Sequence, residues 1–366
     1  MIKPLTSLRF FFAIMVFLSH LPIIDSTNSA LTYIQNNIFF EGYLGVSFFF
    51  ILSGFILSYT YKDRILNNQI PFREFWIARV ARIYPLHLLT LFVAVPLSLG
   101  GMLASPIVWF LKLLTNALLL QSFIPVQSVF FSFNAPSWSI SDEMFFYLLF
   151  PFIISAFIKI PKLQFINLLL LLFIPIGILI CPDVLEHRLF YINPILRLAD
   201  FTIGILLYNL FKKISKSHYT VQPLIFTLLE VMALCSFALF LCLHSYIPQG
   251  YRYSCYYWLP MIFIILIFSF QSGYLSKVLS HRKLMLLGEI SFGFYLIHQL
   301  SIKYVTYINN KLVIIDDDYL LTLIIFIATL SVSYFTYKFV ELPSNKYIKT
   351  RYLPSRNVIH ARGLKD

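Results

Sequence analysis

Two residues in the first apolar stretch could do chemistry together. Arg9 and His20 stand eleven positions apart. On a helix that is about 20° past three full turns, so both side chains share one face, about 16 Å apart along the axis. A cation at one end of a buried stripe can anchor an anion, and an imidazole at the other titrates near neutrality and can act as a base. The same pattern also fits an Arg snorkelling to headgroups and a His bonded to a nearby carbonyl. A second cluster, Arg79 and Arg82, is an i, i+3 pair on one helix face, at the mouth of the third span. Paired guanidiniums suit a phosphate through bidentate hydrogen bonds; attraction to lipid headgroups is the alternative. The third cluster is the string Asn134-Ala135-Pro136-Ser137-Trp138-Ser139-Ile140-Ser141-Asp142-Glu143. Ser139 and Ser141 can cap the helix that follows, and the two acids favour its N-terminal dipole. Alternatively, Glu143 can orient an imidazole such as His20 and stabilise its charged form.

The composition says what must position these groups. The chain has 366 residues, 59% hydrophobic and only 12% charged, with mean hydropathy +0.80. A soluble domain carries roughly 25% charge, so a soluble enzyme is excluded, as are disorder, collagen and coiled coil. The 39 Phe and 23 Tyr do not alternate with polar residues as barrel strands would. Apolar stretches fall at 5–24, 43–61, 80–99, 106–123, 144–158, 163–181, 194–211, 222–244, 254–270, 287–308 and 319–340. The expectation is an all-α, polytopic membrane protein with about ten transmembrane helices plus one re-entrant or interfacial segment. That segment is 106–123, which carries Lys112, Asn116 and Gln121 between Gly100-Gly101 and Pro125.

With 106–123 left uncrossed and the N-terminus inside, most of the 28 Lys and Arg fall in cytoplasmic loops, as the positive-inside rule requires. Both termini are then cytoplasmic, with a membrane domain over 1–343 and a basic tail over 344–366. The net charge of +12 belongs to those loops, not to nucleic acid. The first stretch, interrupted by Arg9, reads as a retained helix and not a cleaved signal. Cys181, Cys235, Cys242 and Cys255 show no metal or redox spacing, though Cys181 and Cys255 could meet in a disulfide. No metal site is expected.

Other polar residues within spans are candidates by position. Arg197 and Asp200 are spaced to neutralise each other, and Glu230 stands without a visible partner in an apolar helix. His298, mid-span, fits a buried hydrogen-bonded His better than a catalyst. Glu341 closes the last span, where a pair with Arg9 is plausible.

Taken in order, these segments resemble the acyltransferase 3 family of integral membrane acyltransferases over nearly the whole chain. Leu8-Arg9 through Ser19-His20 is similar to the family's Arg-x10-His motif, and Gly45–Phe55 to its second-helix signature. Arg79-Val80-Ala81-Arg82 resembles its R-x-x-R, and Pro136–Glu143 its W-S-L-S-x-E, with Ile140 in place of Leu. Leu287–His298 and Glu341-Leu342-Pro343 also fit. The resemblance implies O-acylation, usually O-acetylation, of extracytoplasmic glycans such as an O-antigen or exopolysaccharide, with cytoplasmic acetyl-CoA as donor. His20 would be catalytic with Glu143, acting as base or transient acyl carrier. Arg9, Arg79 and Arg82 would bind the donor, and Trp138, Ser139, Ser141, Glu341 and His298 would support the site.

A bacterial inner membrane is the setting that resemblance implies. Partners would be a surface glycan or lipid-linked sugar and membrane lipid. The soluble domain that some relatives append is not expected here, so any hand-off would need a separate partner. The outer loops 25–42, 182–193, 245–253 and 309–318 would select the acceptor. A transporter of an anionic lipid or sugar would use the same buried charges without breaking a bond; the lack of internal repeats counts against it.

Overall fold

The computed structural model describes residues 2–21, 34–216 and 222–353, and among them there is no strand. The first part of the 25–42 loop and the end of the basic tail lie outside the described residues. The main helices are α1 (Lys3–Ser19), α2 (Gly45–Leu66), α3 (Phe72–Ala94), α4 (Pro106–Ala117), α5 (Ser137–Lys159), α6 (Lys162–Ile180), α7 (Pro194–Ser215), α8 (Pro223–Leu243), α9 (Trp258–Ser269), α10 (Arg282–Leu312), α11 (Asp318–Thr336) and α12 (Leu342–Tyr352). Apolar segments of this length take helical form in lipid because every backbone N–H and C=O is then satisfied within the segment. Among the described residues, nine helical segments are long and apolar enough to cross a membrane. α1 adds 17 residues, about 25 Å of helix. The protein is therefore an all-α, multi-pass membrane protein. Local chemistry sets several helix starts. The Asn193 side chain accepts from the Ile195 and Leu196 amides ahead of Pro194, and Asp317 accepts from the Leu320 amide, filling donors the helix leaves open.

Two boundaries differ from the hydropathy reading. α5 begins at Ser137, seven residues before the apolar stretch at 144. The string through Glu143 is thus two helical turns, and Ser139 and Ser141 lie inside the helix instead of capping it. α3 begins at Phe72, eight residues before the apolar stretch at 80, so Arg79 and Arg82 lie about two turns or more inside the helix. Hydropathy scores a polar helical turn as loop, and both starts were lost that way. The 106–123 segment holds the 12-residue α4, about 18 Å long, short of the roughly 30 Å hydrocarbon core.

The chain forms two compact units. One comprises Asn67–Leu149 with Phe292–Asp366, the other Ile2–Leu66 with Phe150–Ser291. In the second unit, α2 and α7 cross at reciprocal glycines. A Cβ on Gly54 would collide with the Phe201 carbonyl, and one on Gly204 with the Ile51 carbonyl; small residues permit such approach in membranes, where packing must drive association. α1 is seated the same way. Gly42 abuts the Met15 carbonyl, Gly288 abuts the Thr6 carbonyl, and a Cβ on Gly45 would lie 2.8 Å from the Phe12 carbonyl oxygen. Phe12 stacks on Phe48 with centroids 3.6 Å apart. In the first unit, α12 packs along α3 and follows α11 through one wide helical turn, Tyr337–Glu341. Leu91, Ala94, Phe133 and Leu300 form a small core there, against Trp109, Leu113 and Tyr304.

Candidate active site

His20 closes α1, and its backbone N–H still bonds to the carbonyls of the last turn. Its Nδ1 lies 2.8 Å from the Val16 carbonyl. A carbonyl only accepts, so Nδ1 carries the proton, and in the neutral ring Nε2 carries the lone pair. Ser19 Oγ donates to the same carbonyl (2.8 Å) and sits 3.4 Å from Nδ1. The His20 side chain is exposed, while Arg9 is half-buried on the same helix. The Met15–Ser19 turn below His20 rests on Gly42, whose Cβ position is 3.1 Å from Ser19 Cβ.

Gly42 is held by its neighbour. Glu41 is buried and accepts from the hydroxyls of Tyr43 (3.1 and 3.2 Å) and Tyr257 (2.8 Å), and it pairs with Arg252. This ion pair pins the Phe40–Leu44 turn against α1. Elsewhere in the unit, Arg197 and Asp200 form the expected pair at 3.0 Å, both 1% exposed. Arg197 also donates to the Tyr253 carbonyl (2.7 Å) and Ser47 Oγ (2.9 Å), and Trp258 donates to Asp200. Glu230 does have partners. It accepts from the Leu275 and Ser276 amides (3.0 and 3.3 Å) and from the Ser276 hydroxyl, so it caps the turn Tyr274–Leu279. The four cysteines are free thiols, so Cys181 and Cys255 are not joined.

In the other unit, Arg79 and Glu143 meet at one residue. The Arg79 guanidinium lies 5.8 Å from the Tyr147 ring centroid, and the Tyr147 hydroxyl donates to Glu143. From the sequence alone, Arg79 is expected at the cytoplasmic mouth of the third span and Glu143 at the outer end of the span at 144–158. The early starts of α3 and α5 bring them together. Arg79 also lies over Phe75, and Trp76 donates to the Tyr147 carbonyl (3.2 Å). Arg82 is half-buried on α3. Trp138 is buried. Ser139 Oγ bonds to the Tyr295 hydroxyl (2.7 Å) and donates to the Pro136 carbonyl (3.0 Å). Ser141 Oγ donates to the Leu119 carbonyl (2.5 Å) and bonds to Ser122 Oγ (2.7 Å). The motif serines thus fasten the start of α5 to α10 and to the turn after α4. His298 is buried, its Nδ1 donating to the Tyr295 carbonyl (2.5 Å). Glu341 reaches α10, where a Cβ on Gly293 would lie 3.1 Å from its Oε1.

The sequence profile described as an acyltransferase domain matches residues 4–338. The chain belongs to this acyltransferase family. It is the family that the motifs resembled. Over 167 residues the chain is 37% identical to the acyltransferase MdmB of Streptomyces mycarofaciens, covering 43% of this chain and 40% of that protein. Over 329 residues it is 26% identical to the peptidoglycan O-acetyltransferase OatA of Listeria monocytogenes, covering 83% and 51%. Over 351 residues it is 25% identical to the O-acetyltransferase OatA of Staphylococcus aureus, covering 88% and 56%. The chain spans about half the length of these curated relatives. No solved structure matches it.

Of the expected site residues, Arg9 and His20 belong to one unit; Arg79, Arg82, Trp138, Ser139, Ser141, Glu143, His298 and Glu341 belong to the other. Sequence reasoning missed Tyr147, Tyr295 and Glu41. Each carried a signal. Tyr147 is four residues past Glu143, one helical turn. Tyr295 stands three before His298. Glu41 is an acid beside a span boundary, followed by Gly42.

Proposed function

We propose that this chain transfers an acyl group, acetyl in the simplest case, from cytoplasmic acyl-CoA to a hydroxyl of an extracytoplasmic polysaccharide or its lipid-linked precursor. The observation that carries the reading is the tautomer of His20. Its Nδ1–H is engaged by the Val16 carbonyl, and Nε2 is left as the proton acceptor of a neutral ring. Nε2 takes the hydroxyl proton as that oxygen attacks the thioester carbonyl, and then returns it to the departing thiolate. Transient acylation of the same nitrogen is the two-step version of this transfer. Arg9, Arg79 and Arg82 are assigned to the donor, the latter two to its phosphates. Glu143 is assigned to the catalytic group with His20, and the hydrogen bond it accepts from Tyr147 also ties it to Arg79. Trp138, Ser139, Ser141, His298 and Glu341 support the start of α5 and its neighbours. The O-acetyltransferase relatives support O-acetylation, of peptidoglycan in one case. A bacterial plasma membrane with both chain ends cytoplasmic is the setting this reading requires.

Radiolabelled acetyl-CoA, a crude surface-glycan extract and purified wild-type or His20→Ala protein test it. Label in alkali-labile glycan ester is expected with wild type only. Full activity in a folded His20→Ala protein would overturn the mechanism. CoA binding without transfer would point to a separate partner, and no CoA binding would move the reading to transport of an anionic lipid or sugar.

A further inference from the structure

In the unit holding α3 and the start of α5, buried polar side chains link into one network. His87 Nε2–H donates to the Asn116 carbonyl (2.9 Å). Asn116 Nδ2 donates to the Lys112 carbonyl (2.9 Å) and Ser132 Oγ (2.8 Å), and its Oδ1 accepts from Ser137 Oγ (3.4 Å). Gln121 Nε2 donates to the Ser137 carbonyl (3.0 Å). Asn134 accepts from the Ser137 amide at its own carbonyl (3.0 Å) and sends Nδ2 to the Leu296 carbonyl (2.9 Å).

These bonds fix the three amide orientations and the His87 tautomer, because each nitrogen faces a carbonyl that can only accept. Three acceptors then meet no hydrogen-bond partner among the described residues: His87 Nδ1, Gln121 Oε1 and Asn134 Oδ1. Their residues are 1%, 0% and 2% exposed. The shortage is one-sided. What the network lacks is donors, and no charged side chain takes part in its bonds. Buried acceptors left open are costly, and folds seldom gather several without a use.

We propose that this network is a binding subsite for an uncharged part of a ligand that presents O–H or N–H donors. An anionic group would meet only acceptors here, so phosphate is excluded. Two sources share the required chemistry: the hydroxyls of a sugar, and the pantetheine arm of CoA with its amide N–H groups and hydroxyl. The choice of probes rests on the acyl-transfer reading; the subsite itself does not depend on His20 being the base.

The test uses equilibrium binding, not turnover, on the full chain. Gln121→Met and Asn134→Leu remove the open acceptors at near-constant volume. The probes are CoA, 3′,5′-ADP (which lacks the arm) and a fluorescently labelled surface-glycan extract. If the arm is the ligand, each variant weakens CoA about five- to tenfold, the scale of one lost hydrogen bond, and leaves 3′,5′-ADP unchanged. If the sugar is the ligand, the same loss falls on the glycan extract and spares CoA. Folded variants that bind all three probes as wild type does, or lose all three together, would overturn the proposal. Should Gln121→Met fail to fold, Asn134→Leu carries the same comparison. Absence of CoA binding by the wild-type protein would sink the acyl-transfer reading, and the glycan arm would still decide this one.

Discussion

Replacing Arg252 by Ala should loosen the seat of α1 without touching α1 itself. Glu41 is buried, and Arg252 is its only cationic partner among the described residues, the other contacts being the hydroxyls of Tyr43 and Tyr257. Removing one member of a buried pair costs about 3–5 kcal/mol, because the remaining charge stays desolvated. Arg252 is 16% exposed and the two hydroxyls remain, so the lower end, about 3 kcal/mol, is the expected loss. At 2–4 °C per kcal/mol for a domain of a few hundred residues, the melting temperature should fall by roughly 6–12 °C. Thermal unfolding in detergent, followed by tryptophan fluorescence, reads this. The control is Arg252→Ala with Glu41→Gln, which removes the stranded charge but keeps acceptors for both tyrosines. It should recover most of the loss. An Arg252→Ala protein melting within about 1 °C of wild type, or a double variant melting no higher than the single, would refute the reasoning.

Gly54→Ala should destabilise strongly, since its Cβ would meet the Phe201 carbonyl, whereas Gly100→Ala, with nothing near its Cβ, should be neutral or gain up to about 1 kcal/mol; denaturation midpoints of the pair check this. Tyr147→Phe keeps the ring under Arg79 but removes the donor to Glu143, and a several-fold rise in KM for acyl-CoA is expected, measured by initial rates. Glu186, between α6 and α7, has its carboxyl pushed above its ordinary range by burial and by Asp183, opposed by a bond from the Gly250 amide. A raised acid favours its neutral form in the fold, so Glu186's contribution to stability is fullest at acidic pH and is lost as pH rises through the raised value. Glu186→Gln should flatten that dependence in melting curves taken from pH 4 to pH 8.

The helical class and the Arg9–His20 stripe were legible because both rest on periodicity, which the chain carries locally. The Arg197–Asp200 pair was legible for the same reason, being one turn apart. Glu230 was not. Its partners at Leu275 and Ser276 lie some 45 residues on, and only tertiary packing brings that turn to it. The meeting of Arg79 and Glu143 was hidden by an error in two helix starts, since polar first turns look like loops to any hydropathy window. Glu41 was passed over as a loop acid, because nothing local says that Arg252 and Tyr257 arrive from more than 200 positions away.

The seat of α1 has a thermal consequence. At Gly42 and Gly288 the helix rests on backbone, not on interlocking side chains. The glycine contacts themselves freeze no rotamers, so this part of the seat, unlike the Glu41–Arg252 pair behind it, escapes the side-chain share of the entropy penalty, which grows with temperature. Joints made by long side chains elsewhere in the bundle lose grip on warming through that term. The turn that carries His20 is therefore among the parts of the molecule whose position should drift least between a cold and a warm membrane.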